Sequence, residues 1–270
     1  MPRARAVVLL ALVPAAGVFA APPDPAAFVA VTPGAVPVIV SAPHGGATAI
    51  PGVPARKGDG VKQFVTVRDT GTEELAADVV AAIERELGGK PFAVVARFPR
   101  TQADANRPPE AAYEDPAAKP VYDLYHATLA AHCRAVQKKW GRGLLIDLHG
   151  QAADKKVVFR GTRNGQTVKS LVERFGRQAV VGSDSVLGGL AARGYGVFPA
   201  LGDRDAKEHP SYNGGHIVAT YGSGNGTGID AIQLELGGDH RAAAKRKDVA
   251  ADLAAAVGRF ARAYLPGDRE

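Results

Sequence analysis

The sequence predicts an α/β fold of three layers, a mostly parallel twisted sheet with helices on both faces. Three observations lead there. Short apolar runs alternate with amphipathic segments of helical spacing, the order that builds a parallel sheet through helical crossovers. Two of the runs, "VPVIVSAP" and "GLLIDLHG", are almost wholly apolar, as strands covered on both faces must be. The chain has 270 residues, 46% hydrophobic and 22% charged, which suits one globular domain with a sizeable core.

In chain order, "MPRARAVVLLALVPAAGVFA" carries a basic start (Arg3, Arg5), a short apolar stretch and the small residues Val18 and Ala20 at a cleavage position. Residues 1–20 therefore read as a signal peptide, the apolar stretch being shorter than the ~20 residues of a spanning helix. Residues 21–35 form a Pro/Ala-rich leader, and residues 36–266 a single domain that carries the site. Within it "VPVIVSAP", "PFAVVARFP", "GLLIDLHG" and "IDAIQLELGG" read as strands. The segments "TEELAADVVAAIERELGG", "VYDLYHATLAAHCRAVQKKWG", "VKSLVERFGRQAVVG" and "RKDVAADLAAAVGRFARAYL" show apolar positions at helical spacing. The Gly/Pro-rich stretches "RPPEAAYEDPAAKP" and "LGDRDAKEHPSYNGG" are long for such connections and read as loops over the sheet edge. "GSGNGTG" has neither phosphate-cradling nor dinucleotide spacing.

Composition excludes several classes. The single cysteine, Cys133, rules out an internal disulfide framework and a cysteine-rich metal site, and "LAAHCRAV" reads as a helix with a packed thiol. The net charge is +6 and the pI about 9.5. No run of five basic residues occurs and aromatics are only 6%, so no nucleic-acid partner is expected, and attraction to anionic substrates or an anionic envelope is the better reading. No later segment reaches membrane-spanning length, so the processed protein is expected to be exported, periplasmic or extracellular, without stable membrane insertion.

Open parallel sheets bind ligands beyond the carboxyl ends of their strands. His44 directly follows the first strand, His149 ends "LLIDLHG", Asn106 and Arg107 follow "FAVVARFPR" by a few residues, and Glu235 lies near the end of "AIQLEL". Two histidines and a carboxylate make a three-ligand zinc site with an open position. The carboxylate should come from "VRDTGTEELAADV". Asp69 directly precedes the helix start, whereas Glu73 stands three residues after Thr70, the spacing of a capping box. Asp69 is thus the preferred ligand and Glu73 the alternative. Asp147, two before His149 and on the same strand face, is placed to accept from its imidazole. Arg100 and Arg160 are further cationic candidates.

These motifs resemble the N-formylglutamate amidohydrolases, relatives of the zinc carboxypeptidases and succinylglutamate desuccinylases. The resemblance rests on "SAPHGG" with His44, "RDTGTEELA" with Asp69, "FPRTQADANRP" with Arg100, Asp104, Asn106 and Arg107, "LIDLHG" with His149, "GGHIVATYG", and "IQLELGGD" with Glu235, from Val36 to Asp239. It implies a zinc-peptidase-like fold and a zinc held by His44, Asp69 and His149. Glu235 is then general base or acid, with Asn106, Arg107 and, in second rank, Arg100 on the substrate, an N-acyl amino acid or small peptide-like molecule. Carboxypeptidase-type relatives place a glutamate three residues after the first histidine. Here that residue is Ala47, so the carboxylate ligand must come from elsewhere.

Three other readings meet the sequence less well or share its residues. A serine hydrolase lacks its Gly-x-Ser-x-Gly turn, Ser223 lying in a glycine loop. A carboxypeptidase-like zinc peptidase acting on cell-envelope peptides uses the same residues. A non-catalytic exported binding module keeps the fold but has no use for Glu235 as a proton carrier.

Overall fold

The computed structural model describes residues 23–203 and 205–266; the expected signal peptide, residues 1–20, lies outside them. Among the described residues seven strands form one sheet: β1 (Val29–Thr32), β2 (Val38–Ala42), β3 (Phe92–Ala96), β4 (Gly143–Gly150), β5 (Val157–Gly161), β6 (Gly196–Phe198) and β7 (Ile229–Leu236). The helices are α1 (Thr72–Leu87), α2 (Pro109–Ala112), α3 (Lys119–Trp140), α4 (Lys169–Phe175), α5 (Gln178–Val181), α6 (Val186–Ala191), α7 (His216–Tyr221), α8 (Gly238–Arg241) and α9 (Arg246–Tyr264).

The strand order is β1-β3-β2-β4-β7-β5-β6. The central strands β3, β2, β4 and β7 run parallel. β1 pairs antiparallel with β3, and β5 antiparallel with β7, with β6 parallel to β5. The expected α/β fold with a mostly parallel sheet between helices is the observed one. Helices α1, α6 and α9 cover one face in a core that takes in Val38, Val40, Leu75, Ile83, Leu253 and Phe260. Helices α3 and α7 cover the other, with Ile39, Leu129, Leu145, Trp140 and Ile217. Alternate β2 residues go to opposite cores, which is why that strand reads as unbroken apolar sequence.

The structure departs from the sequence reading in several places, adding β5 and β6 among them. Val29–Thr32, placed in the leader, is β1 and pairs along β3, so the sheet begins ahead of Val36. "VKSLVERFGRQAVVG" is two short helices, α4 and α5, broken at Gly176. The capping box expected from Thr70 and Glu73 does not form, because α1 starts one residue later, with Gly71 as N-cap and no side-chain cap bond.

Most of the polar residues in the buried strands gather at one edge. Ser41, Asp147, His149, Gln233 and Glu235 are all buried. In register Ser41 stands beside Asp147, Asp147 beside Gln233, and His149 beside Glu235. Paired residues point to the same face, and here it is the face under α3 and α7, at the carboxyl ends of β2, β4 and β7. The start of α1 is held against this edge by close approach. A Cβ on Gly45 would lie 2.2 Å from the backbone nitrogen of Glu73 and 2.6 Å from Thr72 Oγ1. Gly45→Ala should therefore destabilise the fold by about 1–3 kcal/mol in denaturant unfolding. Gly238→Ala, where nothing lies within 4 Å of the new methyl, should leave stability within ~0.5 kcal/mol; equal midpoints for both variants would refute the packing constraint.

Candidate metal centre

His44 is carried two residues beyond β2, His149 lies on β4, and Asp69 lies just ahead of α1. Backbone bonds tie them: Asp69 N donates to His44 O at 3.1 Å, and Gly150 N donates to Asp69 Oδ2 at 2.9 Å. Their ligand atoms converge. His44 Nδ1 and His149 Nδ1 are 3.1 Å apart, and Asp69 Oδ2 is 3.4 Å from the first and 3.5 Å from the second. Atoms bound at the ~2.0–2.2 Å of a tetrahedral zinc stand about 3.3–3.5 Å apart, so the triangle has the dimensions of one face of such a site. Among the described residues this is the group of three His, Cys, Asp or Glu side chains able to hold a metal ion, and all three are buried. Glu73 is not in it.

The far nitrogens decide what the near ones can do. His44 Nε2 lies 2.7 Å from Asp104 Oδ1, and His149 Nε2 2.8 Å from Asp147 Oδ2. A carboxylate accepts, so each Nε2 carries hydrogen, and a ring that sheds its second proton turns a bare Nδ1 lone pair inward. Without a cation, protons on the rings bond to Asp69; once these are shed, two lone pairs and a carboxylate oxygen face one another. That donor set fits a cation. The partner expected for His149, Asp147, is the one observed.

The braces are themselves held. Asp104 Oδ2 accepts from Arg100 Nε at 2.8 Å and faces the Arg56 guanidinium at 3.9 Å, while Oδ1 also accepts from Asn106 N at 2.9 Å. Burial pushes the Asp104 carboxyl up, but the charge of His44, its hydrogen bond and the arginines outweigh this and hold it far below the usual range. Asp147 Oδ1 accepts from Ser41 Oγ at 2.6 Å. Asp69 follows the same pattern: burial raises it, and bonds from His149 and His44 overcome that and keep it ionised. His149 is lowered by burial yet pulled well above its ordinary value by Asp147 and Asp69.

Glu235 behaves differently. Its carboxyl is buried on β7, and Oε1 accepts from Gln233 Nε2 at 2.8 Å. Burial raises its pKa, His149 and His44 lower it, and Asp69 raises it, leaving it at about 7. A carboxyl poised there both takes and releases a proton near neutrality.

The expected substrate residues are placed as follows. Asn106 Oδ1 accepts from Ile217 N at 2.8 Å, and its Nδ2 stands 3.4 Å from Gln233 Oε1 and 3.3 Å from His149 Nε2. Asn106 therefore lies against the site with its amide held by protein. Half-buried Arg107 directs NH1 to Asn106 O at 3.0 Å and NH2 to Gln63 O at 3.2 Å. Arg100 reaches the centre through Asp104. Arg160 is paired with Glu208 at 2.9 Å, away from the histidines. Ser223 Oγ donates to Asp230 Oδ1 at 2.6 Å, a structural bond, and the Cys133 thiol is buried and pushed up to about 12. The sequence reading did not find Asp104 as the partner of His44, nor Ser41 and Gln233. The available signal for Asp104 was its position four after Arg100 and two before Asn106.

No family model matches the chain, and no curated protein sequence does. Solved structures match its fold. The N-formylglutamate amidohydrolase of Ralstonia eutropha JMP134 is 18% identical, covering 88% of this chain and 98% of that one with a TM-score of 0.57. A gene product of Agrobacterium tumefaciens is 15% identical, covering 87% and 95% with a TM-score of 0.58. The chain thus shares its α/β fold with an N-formylglutamate amidohydrolase over nearly its whole described length.

Two outcomes test the geometry. Asp104→Asn and Asp147→Asn should each weaken zinc binding about 10- to 100-fold against a competing chelator dye; undiminished affinity in both would show that the braces do not set the rings. The second concerns the metal-free protein. The Glu235 carboxyl has an ordinary pKa of 4.5 and a folded one of about 7. Its charged form is thus disfavoured by folding, an effect absent below 4.5 that costs stability as pH rises through 7. Relative to Glu235→Gln, the native apoprotein should lose up to about 3 kcal/mol between pH 4.5 and pH 8 in urea unfolding. Parallel stability curves would place the carboxyl in water.

Proposed function

We propose that this chain is an exported, zinc-dependent amidohydrolase of the N-formylglutamate amidohydrolase type, which cleaves the amide of an N-acyl amino acid or small peptide-like substrate. The observation that carries the reading is the convergence of His44 Nδ1, His149 Nδ1 and Asp69 Oδ2 within 3.1–3.5 Å, each ring braced by a buried carboxylate. The shared architecture and the motif resemblance support it. Export rests on the order of basic, apolar and small residues in positions 1–20. Among the described residues no helix is long and apolar enough to cross a membrane.

His44, Asp69 and His149 would hold the zinc, which when bound supplies a Lewis acid for the amide carbonyl and acidifies water. Glu235 accepts a proton from the attacking water and returns it to the departing amine, for which a carboxyl poised near 7 is matched. Its buried position next to the ligands favours turnover over mere binding. Asp104 and Asp147 fix the rings, and Arg100 fixes Asp104. Arg107, with part of its guanidinium anchored on backbone carbonyls, offers its remaining donors to the substrate's carboxylate, with Asn106 shaping the wall beside His149.

The test is turnover of N-acyl amino acids by zinc-loaded protein. Glu235→Gln should keep its zinc and lose about 10²-fold or more in kcat. Substrates with a free α-carboxyl should be cleaved at least ~10-fold faster than their amidated analogues, a preference lost in Arg107→Lys. Near-native turnover by the glutamine variant would remove Glu235 from the reaction, and absence of any amide cleavage by metal-loaded protein would overturn the reading.

A further inference from the structure

Beside Glu235 the structure gathers aromatic rings that the proposed reaction does not use. Phe159 of β5 stands opposite Glu235 in the antiparallel register, so its ring projects to the same face of the sheet. The ring of Tyr212 lies 5.0 Å from it and that of His209 5.2 Å, with 4.9 Å between those two. Phe198 at the end of β6 completes the group at 5.5 Å from Phe159 and 6.1 Å from His209. Phe159 is buried, Tyr212 and His209 are half-buried, and Phe198 is 37% exposed. An exposed phenylalanine extending a half-open aromatic group is unusual on a surface with few large exposed apolar residues.

The loop that supplies two of these rings is built in, not loosely draped. Buried Glu208 accepts from Arg160 Nε, Thr162 N, Thr162 Oγ1 and Asn164 N, at 2.9, 2.8, 2.5 and 2.8 Å. At the other end Gly215 N donates to Gln233 Oε1 at 2.8 Å. Between these anchors the backbone lies directly on β5: a Cβ on Gly161 would stand 2.5 Å from Gly214 N and 2.8 Å from Tyr212 O. Burial, and after it the charges of Glu235 and Asp69, raise the pKa of the Tyr212 hydroxyl.

We propose that Phe159, Phe198, His209 and Tyr212 form a subsite for an aromatic or large apolar group of the substrate, so that the amides cleaved carry such a group next to the scissile bond. The inference rests on the amidohydrolase reading and narrows its substrate class. Rings at centroid spacings of 5–6 Å accept a further ring in edge or offset contact, and small-molecule sites pair such apolar lining with a few polar groups. Here those groups are Glu235, opposite Phe159 in the sheet, and the metal ligands beside it.

The test separates binding from turnover. Calorimetry on zinc-loaded protein compares two pairs of small carboxylates, acetate with phenylacetate and alanine with phenylalanine. In at least one pair the ring-bearing member should bind about 10-fold or more tightly. Phe198→Ala and Tyr212→Ala should bring that ratio toward one with zinc content unchanged, and Tyr212→Phe, which keeps the ring, should preserve it. In turnover, kcat/KM for N-acetylphenylalanine or N-phenylacetylglycine over N-acetylalanine should shift in the same direction. Equal binding of both members in both pairs, or a ratio untouched by the two alanine variants, overturns the subsite. Ring-selective binding without cleavage of any amide keeps the subsite and removes the amidohydrolase reading instead.

Discussion

Three lone-pair-bearing atoms pressed together in a protein interior repel one another unless a proton or a cation stands between them. The arrangement of His44 Nδ1, His149 Nδ1 and Asp69 Oδ2 persists only because the surroundings leave the rings no other pose. Each imidazole is pinned by its far nitrogen, and each pinning carboxylate is pinned in turn. One chain of contacts runs Arg100 to Asp104 to His44, the other Ser41 to Asp147 to His149. Either ring, if turned over, would give up a charge-assisted bond in a buried setting, where leaving a charged acceptor unpaired is expensive. The braces therefore do two jobs at once: they choose the tautomer and they aim the lone pair.

The sheet makes this possible. Strands that run parallel and are buried on both faces bring their carboxyl ends to one edge, and neighbouring strands there are about 4.8 Å apart. His149 and Glu235, in register on β4 and β7, are thereby fixed at the separation of adjacent strands without help from any loop. Asp69 and Asp104 arrive from the connections after β2 and β3 and complete the site from the side. The same burial that forces carboxylates to find partners acts on Glu235 in the opposite sense. Its partner is the neutral amide of Gln233, so no direct ion pair cancels desolvation, and the neighbouring histidines and Asp69 pull in opposite directions. Glu235 is thereby the carboxylate of this group, with Asp69, Asp104 and Asp147, that has no arginine or imidazole hydrogen-bonded to it.

Much of this was legible in the sequence because the anomaly was. A histidine or glutamate ending an otherwise apolar run has no packing reason to be there, and His44, His149 and Glu235 each stood out in that way. Asp69 was separable from Glu73 by position relative to the helix start, although the capping box offered for Glu73 was the wrong reason, since α1 begins at Gly71 without a side-chain cap. The His44 to Asp104 bond spans sixty residues of chain and leaves no local pattern. The strands β5 and β6 were missed for different causes. In β5 Arg160 interrupts the apolar run, and β6 is only three residues long. The reversed direction of β5 does have a cause visible in the sequence. Residues 151–156 between β4 and β5 are too few to return to the far edge, which takes a dozen or more, so the next strand has to run back antiparallel.

That reversal shapes what the centre faces. Because β5 lies antiparallel beside β7, its residues reach the edge that carries Glu235 at the start of the strand, and the connection that follows β6 must cross back over β5 to reach α7. The crossing segment, residues 205–215, is thereby laid against the flank of Glu235. It also ends on α7, whose Ile217 N holds Asn106 Oδ1, and Asn106 lies against His149. Gly215 N and Asn106 Nδ2 both point at the same acceptor, Gln233 Oε1, and Gln233 donates onward to Glu235. A shift of this segment therefore cannot be local: it changes the partners of Gln233 and, through them, the hydrogen bond on the Glu235 carboxylate and the wall behind His149. The element that presents aromatic rings beside the centre is in this way the same element that sets the hydrogen bonding of Glu235, so a group seated against the rings would be felt at Glu235 through one shared glutamine.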